Sequence, residues 1–116
     1  MSMQPSISVL MPVRNARETV EAAIASVQAE TIADWELVIV DDGSRDGTNE
    51  LLRSIAASEP RLVLIEQEPQ GIAVALNRGL ASCRGEFVAR MDADDVMSER
   101  RLELQSAFLA ANRDVG

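Results

Sequence analysis

Two apolar runs in this chain end in clusters of acidic residues, and this arrangement constrains the fold more than any other feature. The run at 38–40 leads into Asp41 and Asp42, and the run at 87–91 leads into Asp92, Asp94 and Asp95. Buried apolar runs are typical of parallel strands, whose carboxyl ends share the edge of the sheet where ligands bind. Carboxylates gathered at one edge repel one another unless a cation or hydrogen-bond donors lie among them. The sequence therefore predicts a site at this edge for a divalent metal and a phosphorylated ligand.

Strand-like and helix-like segments alternate along the whole chain. We expect strands over 7–11, 36–40, 62–65 and 86–91, and helices that begin near residues 20, 48, 72 and 98. Pro12 is predicted to end the first strand, and Asn15 with Glu18 to form a capping box for the first helix. Alternating strands and helices imply right-handed βαβ units. The predicted fold is α/β, a three-layer α/β/α open and mostly parallel sheet, in a single domain over residues 1–116.

The composition excludes several kinds of chemistry. The chain has no histidine, and all 11 of its basic residues are arginine. Histidine bases, histidine metal ligands, lysine Schiff bases and the lysine of a P-loop are therefore ruled out. The net charge of −8 argues against nucleic acid as a partner. A single cysteine, Cys83, together with the lack of a signal-like start or a membrane-length apolar run, favours a cytoplasmic location.

The acidic clusters also allow interpretations that involve no ligand. Residues 41–44 can form a tight turn, and residues 92–95 can cap a following helix. An EF-hand is excluded, because the twelfth position counted from Asp42 is Arg53 and the sixth position counted from Asp92 is not glycine. A receiver domain needs a lysine and a dinucleotide-binding fold needs G-x-G-x-x-G, and the chain has neither. Acids that directly follow buried strands favour the metal site, in which few carboxylates share a hard cation with phosphate oxygens.

Several segments, taken in order along the chain, resemble the motifs of a known family. They are Ile7-Ser8-Val9-Leu10-Met11-Pro12-Val13-Arg14-Asn15, Val40-Asp41-Asp42-Gly43-Ser44, Ala75-Leu76-Asn77-Arg78-Gly79, Arg84-Gly85-Glu86 and Met91-Asp92-Ala93-Asp94-Asp95. Together they resemble the N-terminal half of a family 2 glycosyltransferase with the GT-A fold, the nucleotide-diphospho-sugar transferase architecture. The similarity to members that assemble bacterial polysaccharides is strongest over residues 71–105.

This resemblance implies roles for individual residues. The residues implied to bind the nucleotide are Pro12, Val13, Arg14, Asn15, Asp42, Arg78 and Asp92. Asp42 would pair with the base, Asp92 would contact the ribose and Arg78 would contact a phosphate. Asp94 would hold a divalent cation, Mg²⁺ or Mn²⁺, that bridges the diphosphate. The chain departs from the family at Arg14, where many members have an aromatic ring, and at Leu76, where many have arginine.

The resemblance also implies an activity. A sugar would pass from a nucleoside-diphosphate-sugar, with a UDP-sugar favoured, to a hydroxyl of a sugar or lipid-linked acceptor, with inversion at C1. The general base and the acceptor site of the family lie in its second half, so we expect them beyond Gly116 and assign no catalytic residue here. The chain is thus expected to be the donor-binding half of a truncated domain, inactive alone.

Two other classes stay open at this point. One is a nucleotidyltransferase, although Pro12 to Asn15 is a poor match to the glycine-rich, basic phosphate loop of that class. The other is a noncatalytic nucleotide-binding or oligomerisation fragment, because the end of the chain at 114–116 resembles the approach to a further strand. The unpaired sheet edge that this leaves would allow self-association. For the full-length protein we expect the cytoplasm, with peripheral attachment to the inner face of the membrane as an option.

Overall fold

The computed structural model of the chain describes residues 5–30 and 34–95. Strands and helices alternate through this part of the chain, as the sequence predicts. They are β1 (Ile7–Val13), α1 (Val20–Gln28), β2 (Trp35–Asp42), α2 (Thr48–Ser58), β3 (Leu62–Gln67), α3 (Ile72–Ser82) and β4 (Phe87–Arg90). The helix predicted to begin at Ser98 lies outside the described residues. None of the helices in this part of the chain is long and apolar enough to cross a membrane.

The strands form a parallel sheet with the order β3-β2-β1-β4. β1 pairs with β2 along its whole length, whereas its pairing with β4 stops at Leu10↔Arg90. The chain moves outward from β1 to β3 and then returns to the other side of β1. A reversal of this kind opens a crevice at the carboxyl ends of the strands, where α/β proteins bind ligands.

Both faces of the sheet are covered, which confirms the predicted three-layer architecture. One face packs against α1 and α2 and contains the larger hydrophobic cluster, in which Ile24 of α1 and Leu52 of α2 are almost fully buried. The other face packs against α3 and contains a smaller cluster of Leu10, Val38, Val40 and Ala75. The apolar β2 contributes to both clusters, as expected of a central parallel strand.

The prediction that Pro12 ends the first strand is wrong, because β1 continues to Val13. The carbonyl of Leu10 accepts a hydrogen bond from the Met91 amide at 3.0 Å, so the backbone groups of Leu10 point toward β4. Pro12, two residues further along the strand, points to the same side. The pairing with β4 stops before this position, where the proline has no N–H to donate, while the pairing with β2 continues to Val13.

The predicted capping box of Asn15 and Glu18 is also wrong. Helix α1 begins at Val20, and its N-cap residue Thr19 makes no side-chain capping bond. Asn15 instead has a left-handed backbone with φ of 49°. Its amide donates to Ser44 Oγ at 2.9 Å, and its Oδ1 accepts from the Arg45 amide at 2.8 Å. A bond to the loop before α2, which the local sequence does not reveal, has replaced the local cap.

Helix α3 approaches the sheet closely through small residues. A Cβ atom on Gly79 would lie 2.3 Å from Leu10 Cδ1 and 2.8 Å from Val40 Cγ2. Gly79 lies where the helix contacts the sheet. The larger apolar residues Ile72 and Leu80 are 56% and 52% exposed. The buried face of this helix is therefore formed by Ala75 and Gly79.

Candidate functional site

A cavity of about 210 Å³ lies at the carboxyl end of the sheet, where the strand order reverses. The end of β1, the end of β2, the start of α3 and the residue that follows Met91 all contribute to its wall. The lining residues are Pro12, Val13, Arg14, Asp42, Gly71, Ile72, Ala75 and Asp92. The structure thus brings together five of the residues predicted to bind a nucleotide, although they come from segments up to 80 residues apart, from 12 to 92.

Asp42 is the last residue of β2 and is only 5% exposed. Its Oδ1 accepts hydrogen bonds from Gln67 Nε2 at 2.9 Å and from the Gln70 amide at 2.8 Å. Its Oδ2 accepts from the Gly71 amide at 3.0 Å. Burial alone would raise the pKa of Asp42, but the bonds from these residues and the nearby charge of Arg14 lower it overall. Asp42 is therefore an ionised group that holds the β3–α3 loop against the cavity.

Asp41, the neighbouring acid, has a different role in the structure. Its Oδ1 accepts bonds from the amide of Ser44 at 3.2 Å and from Ser44 Oγ at 2.5 Å. Gly43 between them has φ of 74°, and a Cβ atom there would lie 2.4 Å from Pro69 Cγ. Asp41 therefore stabilises a tight turn, whereas Asp42 lines the cavity.

The second acidic cluster, Asp92, Asp94 and Asp95, forms a compact turn beside the same cavity, and we call it the acidic turn. Asp92, Asp94 and Asp95 are exposed, and each offers a carboxylate oxygen that lies within 4.8 Å of those of the other two. The Asp92 amide donates to Asp95 Oδ2 at 3.0 Å, and the Asp95 amide donates to the Asp92 carbonyl at 3.0 Å. Asp94 does not itself line the cavity, but its carboxylate adjoins that of Asp92, which does.

The donor set of this turn fits a hard divalent cation. The groups are carboxylate oxygens only, they are close together, and they are open to solvent. Mg²⁺ and Mn²⁺ in nucleotide sites typically take one or two protein carboxylates and complete their shell with water and phosphate oxygens. A single cation could contact Asp94 together with one of its neighbours and still face a ligand in the adjoining cavity.

The two other predicted nucleotide-binding residues lie elsewhere. Asn15 lines a different cavity, of about 350 Å³, beside α1. Its side chain supports the loop before α2 through the bond to the Arg45 amide. Arg78 lines a third cavity, of about 610 Å³, which also contains Arg45 and Arg53. Neither residue is among those that line the cavity shared by Asp42 and Asp92.

Sequence reasoning missed the contribution of the β3–α3 loop. Gln67 and Gln70 bind the Asp42 carboxylate, and Gly71, Ile72 and Ala75 line the cavity. One signal was present in the sequence, because Gly71 immediately precedes a helical pattern. Its φ of 98° is a conformation that favours glycine, and it lets the chain turn from the Asp42 contact directly into α3. The contacts of Gln67 and Gln70 with Asp42 had no local signal.

Comparisons with known proteins point to one family. The family model described as glycosyl transferase family 2 matches residues 8–116. EpsE of Bacillus subtilis, which is named as a glycosyltransferase, is 36% identical over 115 residues, covering 97% of this chain and 41% of EpsE. WfgD of Escherichia coli, named as a UDP-Glc:α-D-GlcNAc-diphosphoundecaprenol β-1,3-glucosyltransferase, is 36% identical over 107 residues, covering 91% of this chain and 42% of WfgD. The chain therefore spans about two fifths of the length of these relatives.

Solved structures share the fold. S. aureus TarS 1-349 in complex with UDP superposes with a TM-score of 0.84 at 25% identity, over 93% of this chain and 33% of that one. The mannosyltransferase PcManGT from Pyrobaculum calidifontis, in complex with GDP-Man and Mn²⁺, superposes with a TM-score of 0.79 at 32% identity, over 92% of this chain and 33% of that one. The predicted GT-A fold is confirmed by these likenesses, and the match of the family model over residues 8–116 shows that the chain belongs to glycosyl transferase family 2.

Proposed function

We propose that this chain is the donor-binding half of a glycosyltransferase that uses a nucleoside-diphosphate-sugar. The observation that carries the proposal is the shared cavity of Pro12, Arg14, Asp42 and Asp92, with the Asp94 carboxylate beside it. The relatives support it, because TarS has been solved with UDP and with UDP-GlcNAc, and PcManGT with GDP-Man. Names such as that of WfgD support a place in the synthesis of bacterial polysaccharide or cell-surface glycan.

The nucleoside is proposed to occupy the cavity itself. Asp42 has one oxygen that accepts two protein donors and one that accepts a single donor, so Oδ2 retains capacity for a base N–H. Arg14 lies at the cavity wall, where its planar guanidinium can stack on the base in the place of an aromatic ring. Asp92 is proposed to accept a ribose hydroxyl. A UDP-sugar is the donor that we favour.

The acidic turn is proposed to hold the divalent cation, through Asp94 and one of Asp92 and Asp95. When bound, such a cation neutralises charge on the diphosphate oxygens as a Lewis acid, which in general lowers the barrier by several kcal/mol. Asp92 of this turn lines the cavity wall, so a diphosphate that extends from a bound nucleoside would reach the turn. The tight packing of Asp42 against the loop at 67–71 would keep the nucleoside end fixed during transfer.

The proposed reaction is a displacement at C1 of the sugar. The bond from C1 to the diphosphate oxygen breaks, and its electron pair leaves with the nucleoside diphosphate. A bond forms from an acceptor hydroxyl oxygen to C1 on the opposite side, which inverts the configuration, and the hydroxyl proton passes to a general base. We propose that this base and the acceptor site lie in the part of the full-length protein that follows residue 116.

The proposal is tested by calorimetry on the full-length protein with UDP and GDP, each with and without Mn²⁺. We expect UDP binding that is at least tenfold tighter with Mn²⁺, which corresponds to about 1.4 kcal/mol. Asp94→Asn should abolish most of this gain and leave stability within about 0.5 kcal/mol, because the residue is exposed. Glu50→Gln, which removes an exposed carboxylate from α2, is the matched control and should change neither quantity.

Three outcomes would contradict parts of the proposal. UDP binding that is equally tight with and without Mn²⁺ would remove the cation from the proposed site. An unchanged gain in UDP affinity from Mn²⁺ in Asp94→Asn would remove Asp94 from it. Release of pyrophosphate from a nucleoside triphosphate, without transfer of a sugar, would favour a nucleotidyltransferase instead.

A further inference from the structure

A buried carboxylate lies at the end of the sheet opposite the cavity. Glu36, the second residue of β2, is 2% exposed and lies in register with Ser8 of β1. Its Oε2 accepts hydrogen bonds from Ser8 Oγ at 2.5 Å and from the Arg84 amide at 2.6 Å, and its Oε1 accepts from Arg84 Nε at 3.1 Å. Burial raises the pKa of this carboxyl, but the bonds from Arg84 and Ser8 outweigh the burial and lower it. Nothing in the proposed transfer uses this group.

The same contacts fix the chain where it passes from α3 into β4. The Gly85 amide donates to Ser8 Oγ at 2.8 Å. A Cβ atom on Gly85 would lie 2.5 Å from the Ser8 nitrogen and 2.7 Å from the Ile7 carbonyl carbon. The connection is therefore pressed against the backbone of β1. We call Ser8, Glu36, Arg84 and Gly85 the amino-end clamp.

Within the described residues, β4 is a short edge strand that pairs with β1 alone. It is only four residues long; Ala89 and the following Met91 are buried, Phe87 packs against the same hydrophobic cluster, and Val88 is 41% exposed. A slip of one residue would turn these side chains to the other face, so their core contacts favour the observed register, but they come from only three residues. The amino-end clamp supplies polar contacts immediately before this strand.

The register of β4 decides where the acidic turn lies. The Met91 amide bonds to the Leu10 carbonyl at 3.0 Å, and Asp92 follows directly. From Gly85 to Asp92 the chain advances seven residues, which in extended form is about 23 Å. A shift at the clamp would therefore be transmitted along the strand and would move Asp92 and Asp94 relative to Asp42.

We propose that Glu36 is a positioning residue for the donor site, which holds β4 in register so that the acidic turn arrives beside the Asp42 cavity. The expected effect of Glu36 on UDP and Mn²⁺ binding rests on the proposed function, whereas its expected effect on the register of β4 does not. A residue that merely stabilises the fold would weaken every property of the site together. A positioning residue that acts through β4 should change the UDP affinity gained from the metal. It should change the metal-independent UDP affinity, to which Arg14 and Asp42 contribute, much less.

The test compares Glu36→Gln with a matched variant in the full-length protein. Glu59 is also buried, at 8% exposure, and is also paired with an arginine, Arg61, at 3.2 Å, but it precedes β3 rather than β4. Glu59→Gln should therefore lower the thermal midpoint without changing the metal gain by more than about twofold, since its ion pair is remote from the acidic turn.

For Glu36→Gln we expect two results. Hydrogen exchange of the Phe87 and Met91 amides, which donate to the carbonyls of Ser6 and Leu10, should become at least tenfold faster, while exchange in the β2–β3 ladder stays within threefold. The Mn²⁺-dependent gain in UDP affinity should fall at least tenfold, and the electron paramagnetic resonance signal of bound Mn²⁺ should decrease with it. UDP affinity measured in EDTA should change much less.

Each remaining outcome decides the proposal. If Glu36→Gln does not fold, Ser8→Ala is measured in the same way; it keeps the carboxylate and its bonds from Arg84, and it removes both the acceptor for the Gly85 amide and the hydroxyl that donates to Glu36. Unchanged exchange at Met91 in the folded variant would overturn the proposal, and so would equal losses of UDP affinity with and without Mn²⁺. If the wild-type protein shows no metal gain, the cation is removed from the proposed function, and the exchange measurement alone decides whether the clamp sets the register.

Discussion

At the scale of single residues, adjacent acids with the same side chain do different work. Asp41 binds Ser44 within its own turn, and Asp42 binds Gln67, Gln70 and Gly71 from a distant loop. The sequence predicts that both lie at the end of a buried strand, and the structure confirms this. It could not assign the separate roles, because successive residues of a strand point to opposite faces and the partners of Asp42 are 25 or more residues away in the sequence.

The contacts of Asp42 lead to a prediction for Asp42→Asn. The side-chain amide of asparagine has one oxygen and one NH₂ group. Its NH₂ group would face at least one of the N–H groups of Gln67, Gln70 and Gly71 that now donate to the carboxylate. We expect a loss of about 1–3 kcal/mol in the free energy of unfolding, measured by urea denaturation. UDP binding should weaken as well, because the loop at 67–71 shapes the cavity.

The control for this change is Asp34→Asn, which alters an exposed bond to Ser6. It should lower the free energy of unfolding by less than about 0.5 kcal/mol. Equal stability of Asp42→Asn and the wild type would show that the loop is held without the carboxylate charge.

At the scale of secondary structure, periodicity predicted the strands and helices in the described part of the chain, and local rules failed at two boundaries. Pro12 lies inside β1, because its ring faces the side on which β4 has ended. Asn15 does not cap α1, because its side chain binds the Arg45 amide. Both errors have one physical cause. Helix and strand types follow from local patterns of burial, whereas their ends depend on which distant backbone groups are in reach.

The close approach of α3 leads to a prediction for Gly79→Ala. Alanine favours helix over glycine by about 1 kcal/mol, but its methyl group would overlap Leu10 and Val40, and overpacking typically costs about 1–3 kcal/mol. We expect a net loss of stability in urea denaturation, together with weaker UDP binding, since α3 carries Ile72 and Ala75 into the cavity wall.

Leu80→Ala is the matched control on the same helix. Leu80 is 52% exposed, so its truncation should change the free energy of unfolding by less than about 0.5 kcal/mol. If Gly79→Ala proved more stable than the wild type, the helix would have room to move away from the sheet, and the contact would not constrain the site.

At the scale of the whole molecule, carboxylates at both ends of the sheet couple stability to pH. The pKa values of Glu36, Asp42 and Glu59 are all lowered from their ordinary values of 4.5, 3.8 and 4.5. The unfolded chain therefore binds more protons than the folded chain in acid. The stability from these groups is fully present above the ordinary values and is lost as the pH falls through the lower folded values.

We therefore expect the urea midpoint to be nearly constant from pH 7 to about pH 5 and to fall steeply below pH 4.5. Glu36→Gln removes one of the titrating groups, so its midpoint should start lower at pH 7 and should depend less on pH below 4.5. Parallel curves for the two proteins would show that Glu36 does not contribute to the acid transition.

The architecture of the molecule and the location of its site were predictable to different degrees. Apolar runs that end in acids at Asp42 and Asp92 were enough to place both residues at one edge of a parallel sheet, and the shared cavity agrees. The loop that completes the cavity was not predictable, because the contacts of Gln67 and Gln70 depend on the position of β3 beside β2. The roles of the lining residues stay predictions until binding is measured.

The backbone of Pro12 determines how far β4 can extend. In a parallel ladder, the bond after the one from Met91 to Leu10 would run from the amide of residue 12 to the Met91 carbonyl. An imino acid has no hydrogen to give, so hydrogen bonding between these strands stops at Met91. The peptide that follows is released from the sheet at that point and can bend at Asp92. One missing proton in the first strand thus sets the place where the last described strand gives way to its acidic turn.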